Sequence, residues 1–150
     1  MKNLSEKLLR VVESAEPRLR KIEEQTSDKR ILPGGWSSKQ VIGHLIDSAA
    51  NNHQRFVRAS LQASLDFPGY EQDGWVCVQA IEEADWLMLV GLWAAYNRYI
   101  AHVIAHLPVS KLETKCRIGQ GEPVTLSFLA NDYLVHMLHH LKQISAADSG

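Results

Sequence analysis

Cysteine is scarce in this chain: Cys77 and Cys116 are the only two, far apart and outside any CxxC pair. That excludes a disulfide scaffold and a thiolate zinc site, and leaves two free thiols. Charge of one sign is missing as well. Sixteen Lys and Arg stand against seventeen Asp and Glu, a formal net charge of −1. Without a basic cluster there is no electrostatic footprint of a nucleic-acid binder. No secretory apolar run follows Met1-Lys2-Asn3-Leu4-Ser5-Glu6. The most apolar stretch, Trp86 to Leu107, would carry Asn97, Arg98, His102 and His106 into a bilayer. The expectation is a cytoplasmic protein that neither crosses a membrane nor binds nucleic acid. Internal repeats and low-complexity segments are also absent. What remains is one domain over residues 1–150, long enough to bury a core without a disulfide or a structural metal. Any metal it binds is therefore functional.

Helical periodicity dominates. Leu4, Leu8, Leu9, Val12, Leu19 and Ile22 recur at helical spacing among charges, so a first amphipathic helix is expected from Leu4 to about Gln25, kinked at Pro17. A turn-rich connection, Ser27 to Gly35, reverses the chain. Ser37 and Gln40 form a capping box that opens a second helix running through His44 and Phe56 towards Leu65. Asp66-Phe67-Pro68-Gly69-Tyr70 breaks it, and Glu71 to Ala80 reads as a short helix within a long link. Asp85 caps a third helix from Trp86 to His106, ahead of Pro108. A glycine turn, Gly119-Gln120-Gly121, sits between Lys115–Ile118 and Glu122–Val124 and predicts at most a small hairpin. Thr125 caps a fourth helix that ends near Ala147. The fold class is all-α, a four-helix bundle whose second and third helices are joined by a long crossover instead of a hairpin.

The chemistry lies in the histidines. In Tyr133-Leu134-Val135-His136-Met137-Leu138-His139-His140, residues 136 and 140 are four apart and share one helix face. Leu129, Tyr133, His136, His140 and Ile144 form a single stripe that should be buried. Two imidazoles turned into an apolar core are costly without partners, and a shared metal removes that cost. The other pair at this spacing, His102 and His106, reads as solvent-facing, because His102 lies roughly 200° round from both Ile100 and Ile104. His139 points about 100° away from His140. His44 falls beside the apolar stripe of the second helix; it is either a hydrogen-bonded core histidine or the third ligand of a three-histidine site. Asp47, one turn beyond, is either a proton-transfer or supporting carboxylate or a solvated surface residue. Tyr133 either bounds the pocket or is ordinary core. Asn51, Asn52 and His53 either line a site entrance or face water, and Tyr70 and Trp75 either serve an interface or cap the core. His136 to His140 lacks the glutamate of HExxH, which excludes a zincin mechanism.

Trp36-Ser37, Gly43-His44-Leu45-Ile46-Asp47-Ser48, Phe67-Pro68-Gly69-Tyr70, Asp132-Tyr133 and His136 with His140-Leu141-Lys142-Gln143 together resemble the DinB-like superfamily, the damage-inducible, YfiT-like group of metalloenzymes. The resemblance covers Trp36 to Gln143. It implies an up-down-down-up bundle, often dimeric, in which three histidines hold a divalent metal such as zinc or nickel. Residue by residue, those ligands match His44, His136 and His140. Characterised members include thiol-dependent transferases and isomerases that use bacillithiol, mycothiol or glutathione; many others have no known function. The expectation is thus a metal-dependent hydrolase or thiol-S-transferase acting on a small molecule, the transferase using a low-molecular-weight thiol as co-substrate. The alternative is a non-enzymatic metal-binding bundle that acts through dimerisation or a protein partner.

Overall fold

Three of the four long helices begin at a side-chain cap supplied by the sequence. The computed structural model describes residues 1–147. α1 (Lys2–Leu19) carries Pro17 in its last turn. It stops short of the expected Gln25: the Lys21 and Ile22 N–H groups donate three residues back, to the Arg18 and Leu19 carbonyls, and the Trp86 indole Nε1 also donates to the Leu19 carbonyl at 2.9 Å. A single helical turn, α2 (Glu24–Ser27), follows. α3 (Ser38–Leu61) opens with the full capping box: Ser37 Oγ accepts from the Gln40 N–H and Gln40 Oε1 accepts from the Ser37 N–H. The crossover holds β1 (Ser64–Phe67), α4 (Gln72–Val78) and a 3-10 turn at Ile81–Glu83. α5 (Trp86–Ala105) is capped by Asp85, which accepts from the Met88 N–H at 2.7 Å. β2 (Lys115–Ile118) and β3 (Val124–Thr125) lead into α6 (Leu126–Ala147), capped by Thr125 through the Phe128 N–H.

Contacts along the helices give their directions. Leu19 meets Trp86, and Ser5 Oγ donates to the Ala101 carbonyl, so α1 and α5 are antiparallel. Lys39 donates to the Glu82 carbonyl and His53 meets Tyr96, so α3 and α5 run the same way. His44 meets His140 and Phe56 meets Tyr133, so α6 runs back along α3. The result is the expected up-down-down-up bundle. Because α3 and α5 are parallel neighbours, the chain must climb the length of the bundle between them, and this is why the crossover is long.

The sheet departs from expectation in one strand. β2 and β3 form the anticipated hairpin, with Cys116 opposite Val124. β1, read from sequence as the end of a helix and a break, instead pairs parallel to β2 with Leu65 opposite Cys116. Four residues cannot nucleate a strand on their own, and the partner lies some fifty residues downstream, so no local pattern announces it. Leu65 and Cys116 are buried beneath this patch and join the main core, whose largest members are Trp86, Trp93 and Phe56. Among the described residues, no helix is long and apolar enough to cross a membrane.

Candidate metal centre

Three imidazoles meet in the groove between α3 and α6. His44 lies in the second turn of α3, fully buried, while His136 and His140 stand one turn apart on α6 and are half-buried. The Nε2 atoms converge: His136 Nε2 is 3.1 Å from His44 Nε2 and 3.2 Å from His140 Nε2. One donor atom from each of the three rings can be taken within 4.8 Å of the others. A single N–H···N bond satisfies one such pair, never both, since His136 Nε2 carries at most one proton. Around a tetrahedral ion with bonds of ~2.0–2.1 Å, the ligand nitrogens would be about 3.3 Å apart. Two of the separations, 3.1 and 3.2 Å, already match that arrangement and the third is within 4.8 Å, and among the described residues no other His, Cys, Asp or Glu joins the group.

The rings are held in the form a metal needs. Burial, then the neighbouring rings of His140 and His136, pushes His44 down to about 3. Burial and His140 push His136 down to about 4, against the opposing charge of Asp132. Burial lowers His140 too, with Gln143 working the other way. At neutral pH all three are uncharged. For His140 the tautomer is set as well, because its Nδ1 faces Gln143 Oε1 at 3.0 Å and must carry the hydrogen, leaving the Nε2 lone pair aimed at the centre. Ser48 Oγ stands 3.5 Å from His136 Nδ1, and His44 Nδ1 is buried without a partner.

Aromatic side chains from two loops wall the centre, and neither was read from the sequence as part of it. Trp36 lies 5.0 Å from the His44 ring and 6.3 Å from that of His140, centre to centre. A tight reversal places it: the Ile31 N–H donates to the Trp36 carbonyl, and Gly34 takes the left-handed φ of +75° that favours glycine. Tyr70, from the crossover, lies 6.4 Å from His44 and packs on Trp75, so its ring closes the site from that side. Gln143, Trp36 and Tyr70 all fall within the motifs quoted above; the loop positions of Trp36 and Tyr70 have no periodicity from which their destination could be read, whereas Gln143 lies three residues after His140 on α6, a helical spacing that could have found it.

The remaining candidates divide. Asp47 is buried, not a solvated surface residue, and both its carboxylate oxygens accept from Gln79 Nε2 at 3.1 and 3.0 Å. Among the described residues Gln79 is its only side-chain partner. Burial raises its carboxyl above the usual range. Tyr133 is buried and donates its hydroxyl to Asn97. Asn51 and Asn52 are buried and cap carbonyls of their own helix, those of Asp47 and Ser48, while His53 pairs with Tyr96. His102, His106 and His139 are exposed and stay outside the cluster.

Two cavities open on the centre. One, of about 340 Å³, is lined by Ile31, Leu32, Trp36, Val41, His140 and Gln143. The other, of about 270 Å³, reaches His136 from the side of Ser48, Asn52 and Arg55. A third hollow of about 360 Å³, around Leu19 and Ile144, is lined by none of the three histidines and offers no comparable chemistry.

Most of the chain matches solved and curated relatives. YfiT from Bacillus subtilis, described as a probable metal-dependent hydrolase with an unusual four-helix bundle topology, superposes with a TM-score of 0.82 at 21% identity, over 97% of this chain and 86% of that one. Proteins named "Putative metal-dependent hydrolase" from Bacillus cereus and Bacillus mycoides are 22% identical over 128 residues, covering 85% of this chain and 73% of each relative. The family model for the DinB superfamily matches residues 7–144, and the chain belongs to that superfamily.

Proposed function

We propose that this protein is a metal-dependent enzyme in which His44, His136 and His140 hold one divalent cation, zinc or nickel by ligand type. The observation that carries this reading is the convergence of three neutral imidazoles on one point, with a cavity open on either side. Catalytic zinc sites use three protein ligands and keep a position free, whereas structural sites are closed by a fourth. The hydrolase names of the curated relatives agree with such a site. An ion held there supplies Lewis-acid chemistry, lowering the pKa of a water towards about 7 or favouring a thiolate over a thiol. Hydrolysis of a small molecule and transfer to a low-molecular-weight thiol are the two reactions this supports.

The side chains have distinct parts in this reading. Gln143 holds the His140 tautomer, and Trp36 and Tyr70 keep bulk water from the rings. Asp47, buried beside the crossover with an elevated carboxyl, is the residue proposed to take up a proton released by the nucleophile. The test is a screen of the metal-loaded protein against esters, amides and electrophiles, with and without thiols. Loss of any activity found in the His44→Ala protein is the expected result; equal activity in that variant would remove the metal from the reaction.

A second reading has its own observation. Met88, Leu92 and Tyr99 are exposed along the outer face of α5, and covering them in a homodimer is the simplest use of that face. On this reading a metal-binding bundle acts through assembly. Light scattering at several concentrations tests the dimer, which is compatible with either function.

A further inference from the structure

The polar face of α3 does not end at the metal centre. His44, Ser48, Asn52 and Arg55 step by four, four and three residues, so they lie along one side of the helix, facing α6. Arg55 is the unusual member. It is about nine-tenths buried, and among the described residues it forms no ion pair with any carboxylate. Among the described residues its side chain makes one hydrogen bond, a long one from Nη1 to Asn52 Oδ1 at 3.4 Å, and its Nε has no partner. The guanidinium rests 5.4 Å above the centre of the Phe67 ring, which β1 presents from below. A cation–π contact of this kind offsets only a small part of the cost of burying a charge.

Arg55 also lines the 270 Å³ cavity that is lined by His136 and Tyr70. The one carboxylate on that lining, Asp132, is exposed at the rim and does not pair with it. An arginine buried without a counter-ion, with several N–H groups free and an open cavity before it, is a receptor for an oxyanion, which its planar fork binds in bidentate fashion.

We propose that Arg55 anchors an anionic group, a carboxylate or phosphate, of the small molecule this protein acts on, and so holds the rest of that molecule against the three histidines. The inference rests on the proposed function only for what happens at the histidine end; the anion site itself stands on Arg55, its missing partner and the cavity. A neutral substrate would leave the guanidinium as unpaired as it is now, so the substrate class narrows to small organic acids and phosphate esters.

Titration calorimetry on metal-free protein tests this with acetate, succinate and inorganic phosphate, at ionic strength held constant with chloride. Wild-type protein is expected to bind at least one of the three. Arg55→Met, which keeps the packing on Phe67, should weaken that binding tenfold or more, and Arg55→Lys, which keeps the charge and loses the fork, should fall between. Arg58→Ala, exposed on the same helix, should bind as the wild type does. Which anion binds separates a carboxylate from a phosphate substrate. No binding above chloride, or equal binding by Arg55→Met, would overturn the proposal. Should Arg55→Met not fold, undiminished binding by Arg55→Lys would overturn it instead. Metal content measured separately on the same variants reads the histidine centre, so a failed anion site and a failed metal site give different results.

Discussion

In a neutral imidazole, what one nitrogen bonds decides what the other can do. Gln143 engages His140 Nδ1 at 3.0 Å, so Gln143→Ala frees the ring to turn and to change tautomer. Supporting partners of this type are worth roughly 10–100-fold in metal affinity, and a loss in that range is expected from competition with a chelator. His102→Gln, His106→Gln and His139→Gln should leave metal stoichiometry unchanged, since those rings are exposed and outside the cluster. Asp47 gives a pH-dependent prediction. Its carboxyl is raised by burial, so its charge costs stability at pH 7, and the cost disappears as pH falls through the folded value towards the unfolded value of about 3.9. Asp47→Asn keeps an acceptor for Gln79 and should melt at a higher temperature than wild type at pH 7, the gap closing near pH 4. If the proton-transfer role is right, the same variant loses activity while gaining stability. At this scale spacing was informative for His136 and His140, which are one turn apart; it left His44 open, and only the family resemblance joined it to the pair. Arg55 was missed although the same count of four, four and three from His44 leads to it, because a lone arginine on a helix ordinarily faces solvent.

The helices were legible for a local reason: their caps, Ser37 with Gln40, Asp85 and Thr125, lie within a few residues of what they stabilise. What a helix meets is not local. β1 is too short to show alternation and is defined by a strand some fifty residues away, and the last carbonyl of α1 is met by an indole from α5. Gly43, in the turn of α3 next to His44, makes the point energetically. A Cβ there would lie 2.7 Å from Ile81 Cγ2 in the 3-10 turn of the crossover. Alanine is the better helix former by about 1 kcal/mol, but overpacking costs roughly 1–3 kcal/mol. Gly43→Ala should therefore lower the denaturant midpoint, and Ile81→Ala in that background should recover part of the loss. A stabilised Gly43→Ala protein would mean that the crossover is not seated on α3 as described.

For the whole molecule, the apolar core runs through all four long helices. The three-histidine cluster lies in one groove of it, and a core of this size is expected to hold with or without an ion. Chelation, or His136→Ala, should leave the far-UV helical signal intact and remove only the contribution of ligand binding to the melting temperature. A protein that unfolds on chelation would make the metal structural. The architecture was legible because four amphipathic segments and one long link admit few packings. The reaction was not, because the surroundings of the histidines include Trp36 from the turn before α3 and Tyr70 from the crossover, whose places no periodicity in the sequence announces.

The central claim is that three histidines from two helices bind one ion, and X-ray absorption at the metal edge, with elemental analysis of the same sample, tests it most directly. The account predicts one zinc or nickel per chain, with three imidazole nitrogens; for zinc, these lie at ~2.0–2.1 Å. It also predicts that the metal is lost in His44→Ala, His136→Ala and His140→Ala alike. Full metal content in any of these variants, or a shell of sulfur or carboxylate oxygen in place of imidazole, would contradict it.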